Sequence, residues 1–246
     1  MDIHKAKPWH GWREFLKEYL IVVVGVLTAL AAEQAVEWLH WRHLAHQTEA
    51  QLAAGVQVDL KNSARWQILQ ACEYQRVGEL ADALQGPAGP WLANPWRRAD
   101  AASRQPQPVP TIVPTPSLLW THVEWETALG TGVFNHLRRE QVDRYAEIYR
   151  LVEVLRETQK QSLEADAQLA PLGYNRVLSQ AERTEYLARL AQVHALHQRM
   201  FNSSRQVLID AHALGLDLEP KAFAALQTGD ARILGPCALT FRLPSH

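Results

Sequence analysis

The stretch Tyr19–Ala32, YLIVVVGVLTALAA, is the longest uncharged apolar run in the chain, and its reading places everything else. It has 14 residues. A hydrocarbon core of about 30 Å needs about 20 helical residues at 1.5 Å each, so the run alone is short for a span. The flanks supply the rest. Extension to Phe15 and Val36 adds mostly apolar positions and gives roughly 30 Å of helix. Lys17 can carry its ammonium back to the headgroups, and Glu33 lies at the other boundary, where a carboxylate costs far less than at mid-bilayer. Trp9, Trp12 and Tyr19 on one side, with Trp38 and Trp41 on the other, form the aromatic belts of the two interfaces. The segment 15–38 therefore reads as a single transmembrane helix, preceded by a short cytoplasmic segment, 1–14.

Two readings compete with a span. Ala29-Leu30-Ala31 is an A-x-A pattern and Leu20–Leu30 has the length of a signal-peptide core, with cleavage after Ala31. Against it, the preceding region is long and contains Glu14 and Glu18, and the helical pattern continues beyond Ala31 without a breaker. The other competitor is a buried helix of a soluble protein. Five aromatic residues bracketing an aliphatic stretch fit a globular core poorly. Orientation follows from the basic residues. Lys5, Lys7, Arg13 and Lys17 precede the run, and Arg42 alone follows it before Lys61. The positive-inside rule puts the N-terminal side in the cytoplasm and the bulk outside.

The 246-residue chain has a net formal charge of −1. Beyond the anchor, residues 39–246 suffice for one domain with a sizeable core. The near-neutral balance argues against a nucleic-acid binder, which needs a basic stripe for phosphates. Cys72 and Cys237 are the only two cysteines. In an oxidising compartment they can pair, and two unrelated buried thiols fit the spacing equally.

From Glu33 to about Gln85 there is no proline, so the anchor helix continues outward. Leu52, Val56, Leu60, Ile68 and Leu69 follow helical spacing, and if the helix bends, Gly55 and Gly78 are the places for a break. Gly86–Pro116 holds 8 of the 13 prolines and reads as a loop or polyproline connector crossing the surface. Ser117 is an expected cap for a helix with Leu118, Leu119, Val123 and Leu129, broken at Gly130-Thr131-Gly132. Asn135 is an expected cap for the next, with Leu137, Val142, Tyr145, Ile148, Tyr149, Val152 and Leu155 on one stripe, ending near Pro171-Leu172-Gly173. Ser179-Gln180-Ala181-Glu182 is a capping box that opens a helix running to about Gly215. Glu219–Leu226 is one more short helix, and Arg232–His246 an extended arm. No alternating strand stands out. The expected class is all-α: the transmembrane helix, then an antiparallel bundle of about four long helices.

At Trp12-Arg13-Glu14-Phe15, Gly25-Val26-Leu27, Glu33-Gln34-Ala35-Val36-Glu37-Trp38 and His40-Trp41-Arg42, the chain resembles a family of uncharacterised bacterial single-pass membrane proteins. A second similarity is Trp125 with Ala128 and Gly132, then Tyr145 and Tyr149. The resemblance implies a membrane-anchored helical protein of bacteria. It carries no activity, cofactor or catalytic residue.

Side-chain constellations point to little chemistry. Glu33, Glu37 and His40 share a helix face, and Glu37-x-x-His40 is half of a carboxylate-bridged di-iron motif. The other half, a second Glu-x-x-His on a facing helix, is not in the sequence. His43 and His46 drift around the helix. His194-x-x-His197, with His212 further on, lacks the Glu of a His-Glu-x-x-His zinc motif. There is no phosphate-binding glycine loop and no Gly-x-Ser-x-Gly elbow. No catalytic, cofactor-binding or metal-binding set is assigned. Gly25-x-x-x-Ala29, with Thr28 and Ala32 beside it, is a small-residue pair that lets two spans approach. The expected role is a membrane-anchored structural or interaction protein, partnered by the bilayer, a second copy or another membrane protein. The alternatives are an accessory subunit sensing a ligand or stress outside the cytoplasm and, third, a metal- or haem-dependent enzyme.

Overall fold

The computed structural model describes residues 11–96 and 109–241. Five α-helices carry the fold: α1 Trp12–Leu84, α2 Val123–Thr131, α3 Arg139–Ala167, α4 Gln180–His212 and α5 Pro220–Leu234. Two short strands, β1 Gly89–Trp91 and β2 Arg176–Leu178, pair antiparallel with Pro90 opposite Val177. The chain is predominantly helical, as expected of an all-α protein.

Helix α1 runs 73 residues without interruption. It passes through both Gly55 and Gly78, so neither is a break. Gly55 is a notch instead. A Cβ there would lie 2.9 Å from the Tyr149 hydroxyl and 3.1 Å from Glu124 Oε2, so glycine admits α3 and α2 side chains against the helix backbone. The helix changes character at Ala45. Before it nearly every residue is exposed; after it, burial recurs at Thr48, Leu52, Val56, Leu60 and Ser63, a helical stripe facing the body.

The body is a bundle of three long helices. Gln57 bonds Asp217, Gln67 bonds Phe201 and Arg183 bonds Ala83, so α4 runs antiparallel to α1. Arg189 reaches Gln168 across the α3–α4 connection, which makes that pair antiparallel too. Tyr149 reaches Leu52, and Gln141 reaches Glu49, so α3 lies parallel to α1. The expected fourth long helix is not found among the described residues. Its place between α1 and α3 is filled by non-helical chain, residues 109–122, where Ile112, Val113 and Trp120 are buried.

Within the expected surface connector 86–116, the stretch from Pro110 to Pro114 is instead largely buried. Residues 97–108 lie outside the described chain, but Pro110 and Pro114 are buried, and Pro110 sits against Gly173, where a side chain would collide with it. The segment 109–122 overturns Ser117 as a helix cap. Gln159 Nε2 donates to the Leu118 carbonyl at 2.8 Å, and its Oε1 accepts from Leu118 N at 3.0 Å and Trp120 Nε1 at 3.1 Å. One buried amide thus satisfies backbone that a helix would have paired locally. Helix α2 begins only at Val123 and ends on Gly132, whose φ of 74° is the left-handed cap conformation. Asn135 falls in a 3₁₀ turn, and α3 starts at Arg139.

Other boundaries follow local chemistry. Ser179 caps α4, with the reciprocal bonds to Glu182 of a capping box. Pro220 opens α5, where a missing amide hydrogen costs nothing. The tail is not an extended arm: α5 continues to Leu234 and a 3₁₀ turn covers Pro236–Leu239. Cys72 and Cys237 form a disulfide that fastens this turn to α1. The last residues of the expected arm, 242–246, lie outside the described chain.

Candidate functional site

The polar groups of α1 that face inward gather along the segment 109–122. Asp59 is fully buried and accepts from Thr121 N at 3.0 Å and Thr121 Oγ1 at 3.2 Å. Burial pushes its carboxyl up to about 7, with nearby Glu124 adding to the rise and the two Thr121 bonds opposing it. Further along α1, Arg76 Nε donates to the Ile112 carbonyl at 2.9 Å, and another of its nitrogens reaches the Asn94 carbonyl. The segment is therefore pinned to α1 at both ends by buried side chains.

Between these pins lies a hydroxyl–imidazole–carboxylate series. Thr115 Oγ1 is 3.3 Å from His197 Nε2, and His197 Nδ1 lies 3.3 Å from Glu73 Oε1 without hydrogen-bonding to it. His194 Nδ1 approaches the same oxygen at 3.0 Å. Glu73 and His197 have no exposed surface, and the Trp66 ring packs edge-on against His197 at 5.4 Å. The order of groups is that of a nucleophile with its base. An acyl-transfer site also needs N–H donors beside the hydroxyl. Here the next residue is Pro116, which has none, and the Leu118 amide is taken by Gln159. The series, as it stands, ties the segment to α4.

Thr115 also lines a cleft of 680 Å³. Its walls come from α1 (Arg65, Leu69), the segment 111–118, α3 (Leu163, Asp166) and α5 (Asp230, Ile233), with Trp96. Burial pushes the Asp166 carboxyl up to about 7, opposed by a backbone bond from Val113. Its Oδ1 is buried with no hydrogen-bond partner. Asp230, raised by burial as well, is 3.8 Å from Arg65 Nε.

The residues singled out from sequence divide sharply. Glu33, Glu37, His40, His43 and His46 are all exposed on α1, and Glu37 accepts only from Trp41 Nε1 at 3.4 Å. No helix faces them among the described residues. His194 and His197 do meet, on Glu73, whereas His212 bonds Asp217 at 2.7 Å elsewhere. Among the described residues, no three His, Cys, Asp or Glu side chains are placed to hold a metal ion. Gly25 has no atom of the body within 4 Å. The second similarity maps onto packing: Trp125 stacks on Tyr149 at 5.4 Å, Ala128 and Tyr145 are buried, and Gly132 caps α2.

Asp59, Glu73, Gln159 and Asp166 escaped sequence reasoning. The first two carry a detectable signal, since they fall in phase with Leu52, Val56 and Leu60 on the apolar stripe of α1. A charge in that phase marks a buried polar group with a partner. Comparison of the chain with family models, curated proteins and solved structures finds no match.

Proposed function

We propose that the chain is a single-pass protein of the bacterial plasma membrane, with its N-terminal side cytoplasmic and its helical body outside. In this reading it is a structural or interaction protein, holding or accompanying a partner at the outer face. One observation carries it. The most apolar 18-residue window of α1 is 0% buried, on the same unbroken helix whose later half forms the core. Exposing so much aliphatic surface to water is unfavourable by roughly 25 cal/mol per Å², whereas lipid removes that cost. Outward placement of the body is supported by the basic residues before Tyr19 and by the Cys72–Cys237 disulfide, a bond of oxidising compartments. The family resemblance of the anchor segment belongs to the same proposal.

A reporter fused to the C-terminus tests the topology. It should be active outside the cytoplasm, and replacing Lys5, Lys7, Arg13 and Lys17 with Gln should weaken that orientation. Activity confined to the cytoplasm contradicts it. For the role, crosslinking in intact membranes before purification should recover a defined protein partner in near-stoichiometric amount. Recovery of the chain with lipid alone contradicts scaffolding. A second reading, an accessory subunit that senses a small ligand, is favoured by the cleft beside Asp166.

A further inference from the structure

We infer that the end of the body nearest the span is a docking surface for the phosphate headgroups of anionic phospholipids, a reading that rests on residues 15–38 crossing the membrane. The turn that follows α2 builds this surface. Ala128 and Val133 are buried with Ala45 in a small core of their own, and Leu44, Phe134 and Leu137 pack around them. Beside that core the His136 ring stacks on the Trp41 ring, with centroids 4.2 Å apart and 12° between the planes. Trp41 lies about 4.5 Å beyond Trp38 along the helix axis. The polar layer of a bilayer is about 5–8 Å deep on each side. The stack therefore holds the turn 132–138 at the depth of the headgroups.

Charge decides what the surface takes. Two stretches meet at the stack, 38–48 of α1 and 127–139. Neither contains Asp or Glu, and between them they carry Arg42, Arg138 and Arg139, all exposed. The carboxylates that flank these stretches are engaged with other groups: Glu37 with Trp41, Glu49 with Gln141, Glu126 with His122 and Glu140 with Arg144. Asp143 lies 4.0 Å from Arg139, with both side chains largely exposed. Arg42 sets its guanidinium over Trp38 at 5.2 Å, and neither it nor Arg138 forms an ion pair among the described residues. Helix α3 adds to the same sign. It lies parallel to α1, so its N-terminal end, the positive pole of a 29-residue helix, is the end that faces the span. A cation meets no carboxylate within these stretches, whereas phosphate oxygens match guanidinium donors in geometry as well as charge. The lipid surface lies at this level because α1 itself crosses it.

Photocrosslinking of the full chain in vesicles tests the inference, with a benzophenone amino acid at Asn135, an exposed residue of the turn, or at Val24 in the span. Vesicles of phosphatidylcholine alone are compared with vesicles that also contain phosphatidylglycerol. The lipid adduct at position 135 should be at least about threefold stronger with phosphatidylglycerol, and high salt should remove the gain. Position 24 should give equal adduct in both. Replacing Arg42, Arg138 and Arg139 with Gln should abolish the gain at position 135. Replacing Arg150, Arg199 and Arg205, exposed arginines elsewhere on the body, should leave it. Glycerol 3-phosphate in solution should not compete. No adduct at either position overturns the span and this surface together. The docking surface alone is overturned by adduct at 24 with none at 135, by equal adduct at 135 in both vesicles, or by a gain that survives loss of the three arginines. Competition by glycerol 3-phosphate, or an adduct at 135 that joins two copies of the chain in place of lipid, overturns it as well.

Discussion

The two halves of α1 are chemically alike at first glance and behave oppositely. In the first half, Trp12–Leu44, the run Tyr19–Ala32 is apolar nearly all round, and the side chains meet almost nothing of the body. Ala45–Leu84 is less apolar, yet it supplies the core with Leu52, Val56, Leu60, Trp66, Ile68 and Leu69. The later half also carries Asp59, Glu73 and Arg76 inward, each with partners on another element. A helix meant for a protein core has an apolar stripe with satisfied polar groups in it; a helix meant for lipid has no preferred face. The difference lies both in mean hydropathy and in the angular distribution of the apolar residues.

The comparison breaks most plainly under truncation. Trp66→Ala should destabilise the body by about 3–5 kcal/mol, because a fully buried indole is lost. Val22→Ala, at a site 63% exposed, should change body stability by less than about 0.5 kcal/mol. Urea unfolding in mild detergent, followed by tryptophan fluorescence, reads both. Comparable losses would erase the distinction between the halves.

A next-largest effect concerns pH. Asp59 and Asp166 have folded pKa values near 7, raised from an ordinary 3.8. The folded state therefore holds protons that the unfolded chain has released. Stability is full below about pH 4 as far as these groups act, and is lost as pH rises toward 7. The slope is up to about 1.4 kcal/mol per pH unit for each carboxyl. Asp59→Asn should remove about half of that slope between pH 4 and 7. A slope unaltered by Asp59→Asn, or one of opposite sign, would show that Asp59 does not bind its proton in the folded state.

The smallest pair uses the two glycines of the later half. Gly55→Ala should cost about 1–3 kcal/mol, since its Cβ would crowd the Tyr149 hydroxyl and Glu124. Gly78→Ala meets nothing within 4 Å and should stabilise by about 0.5–1 kcal/mol through helix propensity. Thermal unfolding with opposite shifts would separate a packing notch from an idle glycine. Shifts of the same sign would not.

Much of the helical framework was legible because local signals and tertiary needs agree there. The long α1, the Ser179 capping box, the α3 stripe and the Gly132 cap are all set within a few residues. The segment 109–122 was not legible. Its prolines mark non-helical chain, and such chain is ordinarily at the surface. What brings it inside is Gln159, Asp59 and Arg76, residues that lie 36 to 62 positions away and satisfy its backbone. Ser117 is a sound cap in isolation and loses to those distant bonds. The cleft was hidden for the same reason, being walled by four parts of the chain that no local pattern connects.

The division of α1 at Ala45 is tested most directly by photocrosslinking in lipid vesicles. A benzophenone amino acid is placed at Val24, in the exposed half, or at Val58, an exposed position of the later half. Irradiation of the reconstituted full chain should give a lipid adduct from position 24 and none from position 58. Lipid adducts from both positions, or from neither, would contradict a helix that is anchor in its first half and core in its second.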